Sequence, residues 1–288
     1  MRRITRLLKT PRIASLRRRL RRWLPIAAAA AFALVVYGYL TLPDVRPLAT
    51  VNPATTAFIE LRLAEARAAG RPPRRTQRWV SYERISPHLK RAVLVAEDSA
   101  FWRHDGVDLE QLKESIETNL ERGQLARGAS TITQQLAKNL YLSPARTPMR
   151  KLRELIIARR LEAELSKRRI LELYLNVVEW GDGIYGAEAA SRTYFRKPAS
   201  ALSPSEAALL AGALVNARVL VPSRANARLL RRQRIILARM GAVSPAPAVL
   251  RAAEPVPAVT IQPVDEPRAQ DPSVAPASTE DAASAPPR

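Results

Sequence analysis

The chain has 288 residues, no cysteine and a formal net charge of +21 at pH 7. This length suits one sizeable core with terminal extensions, or at most two small domains. The lack of cysteine excludes disulfides, thiolate metal sites and a cysteine nucleophile. The positive charge predicts an anionic partner, which nucleic acid, phospholipid headgroups or a phosphorylated substrate would each supply.

The N-terminal segment joins a basic stretch to an uncharged one. Residues 1–22 contain ten Arg and Lys and no acidic residue, and residues 23–43 contain no charge. As a helix the uncharged stretch would span roughly 30 Å, the thickness of a bilayer hydrocarbon core. Trp23, Tyr37 and Tyr39 lie toward its ends, where such rings prefer the membrane interface. We predict a cytoplasmic basic segment at 1–22 and one transmembrane helix at 23–43, with the rest of the chain on the periplasmic side of the inner membrane.

Two other interpretations of this segment are weaker. A cleaved signal peptide needs small residues after the apolar run, but alanines 27–31 stand at its start. Binding of nucleic acid is disfavoured because the basic stretch directly precedes the apolar one, an arrangement typical of a membrane anchor. We therefore predict no nucleic-acid partner.

The sequence after residue 43 divides into three parts. Residues 44–80 are predicted to form a connector with a short helical stretch at 56–69. Residues 81–240 show helical patterning nearly throughout, with no convincing alternation for a sheet, so the predicted fold class is mainly α. In chain order the predicted helices there cover 87–97, 109–123, 131–142, 148–166, 167–178, 187–195, 204–215 and 225–240. Residues 241–288 form a Pro- and Ala-rich tail whose composition predicts disorder.

Capping residues mark the starts of several of these helices. Ser86 precedes Pro87, a combination typical of a helix start. Asp108 is positioned to cap the next helix, and either Ser130 or Thr131 to cap the one after it.

The segment EDSAFWRHDG at 97–106 contains the first candidate for catalysis. Glu97 follows an apolar stretch, so its carboxylate would be partly desolvated at a cleft wall and its pKa would rise toward working pH, as a general base requires. The alternative is a surface pair with Asp98 at a helix end. Phe101 and His104 are interpreted as a packing residue and a hydrogen-bonding residue that stiffen the following turn.

The segment GASTITQQ at 128–135 is the second candidate, together with the cations after it. Ser130 is a candidate cap, whereas the adjacent amides of Gln134 and Gln135 point in different directions and have no obvious role on a solvent face. Four cations follow, at Lys138, Arg146, Arg150 and Lys151. Beside a base, such a cluster suits a diphosphate leaving group, because it stabilises the developing charge. From the residues alone, a capped helix start and a solvated basic face remain open as alternatives.

Other kinds of site find little support. Glu154 and Glu172 lie on apolar-patterned helices and are expected to form buried ion pairs. GDGIYG at 181–186 matches a G-x-G-x-x-G pattern, but it follows a helical segment rather than a strand, so we reject a nucleotide site. The sequence has no Walker motif, no Asp-x-Asp pair and no His-rich cluster, and we predict no metal ligands.

Taken together, these segments resemble the peptidoglycan glycosyltransferase family, glycosyltransferase family 51, whose members have a lysozyme-like fold. The resemblance covers residues 81–240, and the motifs occur in the family order. They are EDSAFWRHDG at 97–106, GASTITQQLAKNL at 128–140, RKLRE at 150–154 and KRRILELYLN at 167–176, followed by similar sequence at 176–212. The chain departs from the family at LVNAR, 214–218, where relatives usually have a Leu-Pro-Asn-Pro turn.

The resemblance implies polymerisation of lipid II, in which a β-1,4 bond replaces the α-linked diphosphate of the donor MurNAc and undecaprenyl diphosphate leaves. It makes Glu97 the general base for the acceptor GlcNAc 4-hydroxyl and Glu154 a second essential acid that orients the cations. Lys138, Arg146 and Arg150 would contact the donor diphosphate. The other predicted substrate-binding residues are Ser130, Thr131, Gln134, Gln135, Asp98, Phe101 and His104.

The resemblance also implies partners: lipid II, the growing glycan strand and membrane lipids, with the cell-division or elongation machinery as a candidate. A divalent cation, Mg²⁺ or Mn²⁺, would assist the diphosphate. The sequence contains no Ser-x-x-Lys and no Lys-Thr-Gly motif, so we expect the monofunctional form without a transpeptidase domain. Two rival functions are a lytic lysozyme-like enzyme that cleaves peptidoglycan and a non-catalytic membrane-anchored scaffold.

Overall fold

A computed structural model of the chain describes residues 11–122, 130–145 and 147–241, so the predicted site residue Arg146 and the predicted disordered tail lie outside the described residues. The described part is mainly helical, as predicted. Its α-helices are α1 Pro11–Leu40, α2 Ala57–Ala68, α3 Pro87–Glu97, α4 Leu109–Arg122, α5 Ile132–Tyr141, α6 Pro148–Glu164, α7 Lys167–Val177, α8 Ala187–Phe195, α9 Pro204–Ala213 and α10 Ala227–Met240. Its strands are β1 Thr76–Gln77, β2 Glu179–Gly181 and β3 Ile184–Tyr185.

The predicted transmembrane stretch falls largely within α1, which ends at Leu40. Large apolar side chains on this helix are exposed, among them Trp23 and Phe32. Among the helices that the structure describes, none is both long enough and apolar enough to cross a membrane. Just after α1, the carbonyl of Thr41 accepts a hydrogen bond from Arg153 of α6 at 2.9 Å. This contact ties the end of α1 to the rest of the fold.

Several predicted caps are confirmed by their hydrogen bonds. The Ser86 hydroxyl accepts from the backbone N–H of His88 at 3.2 Å, and α3 starts at Pro87. The Asp108 carboxylate accepts from the backbone N–H of Gln111 at 2.9 Å at the start of α4. Of the two candidates for α5, Thr131 is the cap. Each cap supplies an acceptor for a backbone N–H that the first turn of the helix leaves unpaired.

The core lies between two groups of helices, α3 with α9 and α10, and α5 with α6 and α7. One cluster of buried side chains joins both groups. The helix α7 lies inside the protein, and every residue from 169 to 177 is buried. Because buried polar groups need hydrogen-bond partners, the polar side chains of α7 are expected to hold neighbouring elements in place.

The predicted connector at 44–80 packs onto this core. Val45, Leu48 and Trp79 belong to the buried cluster. Arg169 of α7 donates from Nε to the Leu48 carbonyl at 2.8 Å and pairs through Nη1 with Glu172 at 2.6 Å. Glu172 therefore forms a buried ion pair, as predicted.

The structure contains a three-stranded sheet, in the order β1-β3-β2, which the sequence pattern does not predict. β1 runs parallel to β3, and β2 runs antiparallel to it. The expectation of no sheet is wrong because strands of two or three residues are too short to show alternation.

The GDGIYG segment contains the last residue of β2, the turn and β3, so it follows a short strand and not, as predicted, a helical segment. The turn leads into β3 rather than directly into a helix, as a dinucleotide-binding loop would, so the rejection of a nucleotide site stands on this arrangement. Gly183 lies in this turn at a φ of +71°, where a Cβ would stand 2.8 Å from the carbonyl oxygen of Arg74.

Candidate active site

Glu97 is the last residue of α3, and its carboxylate is half-buried. Its Oε2 accepts a hydrogen bond from Nε2 of Gln135 at 2.9 Å. Burial raises the pKa of Glu97, while the Gln135 hydrogen bond and the positive charges of Arg232 and Lys138 oppose the rise. Burial makes this carboxylate a stronger base than an exposed one, whereas the hydrogen bond and the cations favour its ionised form.

Asp98, Phe101 and His104 contact other protein groups. The carboxylate of Asp98, 2 % exposed, accepts from the backbone N–H of Ile132 at 2.9 Å and from Nε2 of His104 at 3.0 Å. The Gly106 N–H donates to Nδ1 of His104 at 3.2 Å, so Nδ1 is the acceptor of the ring and Nε2 is the nitrogen that faces Asp98. Phe101 is fully buried against the same turn. These contacts join the end of α3 to the start of α5, and a direct role in substrate binding stays a prediction.

Gly106→Ala is expected to destabilise the fold by about 2–3 kcal/mol, because two costs add there. Gly106 has a φ of +84°, and an added Cβ would lie 3.1 Å from Cγ of Glu162 and 3.3 Å from the Ala158 carbonyl oxygen. Gly70 is the matched control, since its φ is +64° but nothing lies within 4 Å of an added Cβ. Denaturant unfolding of both variants tests this. Equal losses of stability would show that the tight contact contributes nothing.

The start of α5 joins several of the predicted groove residues. Thr131 donates from Oγ1 to the Gly106 carbonyl at 2.7 Å while capping the helix. Nζ of Lys151 lies 3.2 Å from Oγ of Ser130 and 2.9 Å from Oε1 of Gln134. Gln134 thus faces Lys151 whereas its neighbour Gln135 faces Glu97, which confirms that the two amides point in different directions.

Glu154 is a buried carboxylate that pairs with two cations of its own helix. It is 3 % exposed and contacts Arg150 through Oε2 and Lys151 through Oε1. Burial lowers the pKa of Lys138; the charge of Glu154 opposes this, and the charges of Arg150 and Lys151 add to it. Two cations therefore contact this buried acid and a third, Lys138, interacts with its charge, and their excess positive charge suits an anion such as a diphosphate.

Two of the site's residues received no role from the sequence. They are Tyr174 and Arg232. Tyr174 donates from its hydroxyl to Oε1 of Gln135 at 2.9 Å. Nε of Arg232 donates to the Gly212 carbonyl at 2.9 Å, and its charge lowers the pKa of Glu97. No local pattern in the sequence signals either residue, because each reaches the site from a distant helix.

A divalent cation has no evident ligand set here. Within the described ranges, no group of three or more His, Asp and Glu residues could hold a metal ion. Glu154 lies among the cations, but both of its oxygens already contact Arg150 and Lys151. These residues do not fit a bound Mg²⁺ or Mn²⁺, and the assisting cation stays a prediction.

The site thus combines two functions along one helix. Gln135, which contacts Glu97, and Lys138, which lies near Glu154, are three residues apart on α5 and so share a face of that helix. A carboxylate that could accept a proton from a hydroxyl therefore lies next to cations whose charge would suit an anion.

Comparisons with known proteins agree with this chemistry. The profile of the Transglycosylase family matches residues 65–241. A biosynthetic peptidoglycan transglycosylase of Laribacter hongkongensis is 49 % identical over 193 residues, covering 67 % of this chain and 85 % of the relative. A protein of the same name from Thiobacillus denitrificans is 46 % identical over 229 residues, covering 79 % of this chain and 98 % of the relative. Another, from Aromatoleum aromaticum, is 54 % identical over 167 residues, covering 58 % of this chain and 73 % of the relative. The chain therefore belongs to the transglycosylase family and is a glycosyltransferase.

Proposed function

We propose that this enzyme polymerises lipid II into β-1,4-linked glycan strands and releases undecaprenyl diphosphate. One observation carries the proposal: a half-buried base and a cation cluster lie together along α5. Glu97 accepts a hydrogen bond from Gln135, and Lys138 follows on the same helix face. This arrangement suits attack of a sugar hydroxyl on a sugar linked to a diphosphate. The names of the relatives support the same class of substrate.

The proposed reaction is one displacement. Glu97 takes the proton from the 4-hydroxyl of the acceptor GlcNAc as that oxygen bonds to C1 of the donor MurNAc. The bond from C1 to the diphosphate oxygen breaks with inversion, and the electron pair leaves with undecaprenyl diphosphate. Lys138, Arg150 and Lys151 stabilise the charge on the departing oxygen. Glu97 then releases its proton to water before the next cycle.

A lytic enzyme of lysozyme-like fold is the second candidate, and the cations distinguish it. Cleavage of finished glycan needs a carboxylic acid to protonate the glycosidic oxygen, but it releases no diphosphate. The cluster of Lys138, Arg150 and Lys151 around Glu154 would then have no anion to stabilise. Polymerisation uses both the carboxylate of Glu97 and the cation cluster.

The test is to incubate the full chain, in detergent, with labelled lipid II and separately with purified sacculi. We expect a glycan polymer from lipid II and no soluble fragments from sacculi. Muropeptides released from sacculi without any polymer would establish the lytic function instead. Inactivity on both substrates, with lipid II still bound, would favour the non-catalytic scaffold.

We also propose that the domain acts on the outer face of the cytoplasmic membrane, held there by residues 23–43. The absence of charge in that stretch, the ten cations before it and the exposed Trp23 and Phe32 support this. Alkaline washing of membranes should leave the full chain in the pellet, and protease added to spheroplasts should degrade the domain. Release into the wash would contradict attachment by this stretch. Association with cell-division or elongation proteins stays a prediction.

A further inference from the structure

A buried tyrosine is linked to the candidate base through one side chain. Tyr174 lies on α7 and is fully buried. Its hydroxyl donates to Oε1 of Gln135 at 2.9 Å, and Nε2 of the same amide donates to Oε2 of Glu97 at 2.9 Å. Three elements, α7, α5 and the end of α3, therefore meet in one short hydrogen-bonded chain.

The chemistry of the three groups determines which one donates in each of these two hydrogen bonds. An ionised carboxylate only accepts hydrogen bonds, so the NH₂ group of Gln135 must face Glu97 and its oxygen must face Tyr174. Tyr174 then has to donate. Burial raises the pKa of Tyr174 well above its ordinary value, and the negative charges of Glu97 and Asp98 raise it further. The hydroxyl accordingly keeps its proton, and remains a donor, across the pH range in which the enzyme works.

We infer that Tyr174 is a positioning residue for the base: it holds the Gln135 amide in the one orientation that donates to Glu97. The inference rests on the proposed function and deepens it, because the donated hydrogen bond favours the ionised form of Glu97. Without the Tyr174 hydroxyl, the Gln135 side chain is free to rotate or to move away from Glu97, and its oxygen can turn toward the Glu97 carboxylate. The base would then hold its proton to a higher pH.

Other charges also act on Glu97, and the substitution leaves them in place. Asp98 on the same segment raises the pKa of Glu97, whereas Lys138 of α5 and Arg232 of α10 lower it. A change seen on removing only the Tyr174 hydroxyl can therefore be assigned to the hydrogen-bonded chain.

The test is Tyr174→Phe in the full chain, with kcat/KM for lipid II measured across pH. The acidic limb of this profile reports the base in the free enzyme. Loss of a hydrogen bond to the ionised form raises the pKa of Glu97, so activity disappears at a higher pH as the medium is acidified. We expect the acidic limb to move to a higher pH by about one unit. At pH values below the limb, kcat/KM should therefore be about tenfold lower than in wild type. Above the limb, the variant should approach the wild-type rate.

Two further variants separate positioning from packing. Tyr194→Phe is the matched control, because that hydroxyl also makes one hydrogen bond, to the Trp180 carbonyl at 3.0 Å, but does not contact Gln135. It should keep the wild-type limb. In a Gln135→Leu background, where the link is already broken, Tyr174→Phe should produce no further shift of the limb.

Each result bears on one claim. If wild type makes no polymer from lipid II, the proposed function fails. If wild type is active and Tyr174→Phe has an unshifted limb, or loses activity equally at every pH, the positioning role is wrong. A Tyr174→Phe chain that does not fold would also overturn the inference, because the hydroxyl would then serve the core rather than the base.

Discussion

Replacing Glu97 by glutamine is expected to slow lipid II polymerisation by about 10²–10⁴-fold, the contribution of a general base. Glutamine keeps the size of the side chain but cannot accept the proton of the sugar hydroxyl. Affinity for lipid II should change much less than kcat, because the cations that bind the diphosphate remain. Initial rates on labelled lipid II, with binding measured separately, test this.

The control for this variant is Glu110→Gln, which removes an acidic charge from an exposed position on α4. We expect it to retain the wild-type rate. A Glu97→Gln enzyme that polymerises lipid II at a rate within a few-fold of wild type would show that Glu97 is not the base.

The raised pKa of Glu97 has a further consequence for the wild-type enzyme. As the medium is acidified, the polymerisation rate should begin to fall at a pH above the ordinary pKa of glutamate.

Replacing Glu154 by glutamine is expected to lower kcat/KM for lipid II by about 10²-fold, comparable with the loss of one group that stabilises a leaving anion. The neutral amide cannot hold both Arg150 and Lys151, which contact the carboxylate in the structure. The pKa of Lys138 should also fall further, because the charge of Glu154 is one of the causes that raise it. Steady-state kinetics at several pH values measure both effects.

Glu162→Gln is the matched control on the same helix. Glu162 is also a nearly buried carboxylate that pairs with a lysine, Lys167, at 2.8 Å, and it accepts from the Thr133 hydroxyl. Both variants should lose stability, since each leaves a cation without its partner. Glu154→Gln should lose more transfer activity than its lower melting temperature accounts for, whereas Glu162→Gln should not. Equal losses of activity would reduce Glu154 to a structural ion pair.

Local signals made much of the fold predictable from the sequence. The Ser86-Pro87 pair marks the start of α3 and places Glu97 at its end, because capping depends on residues within one turn. The order of the motifs then indicates the chemistry. Gln134 and Gln135 were predicted to diverge for a similarly local reason, since adjacent residues lie on different faces of a helix.

Contacts between distant residues were not predictable in this way. The hydrogen bond from Tyr174 to Gln135 joins residues 39 positions apart, and Arg232 approaches Glu97 from α10. Likewise, Asp98 is one of the substrate-binding residues that the resemblance implies, but no local pattern indicates that its buried carboxylate accepts a hydrogen bond from the backbone N–H of Ile132. These features depend on tertiary packing, which periodicity and capping do not specify.

The most direct test of the proposed reaction is to count its products. Full-length wild type in detergent should convert lipid II into a polymer that lysozyme digests, with one undecaprenyl diphosphate released for each glycosidic bond formed. Release of the lipid diphosphate without polymer would contradict transfer to a sugar hydroxyl activated by Glu97. No consumption of lipid II by a folded enzyme would contradict the proposed reaction as a whole.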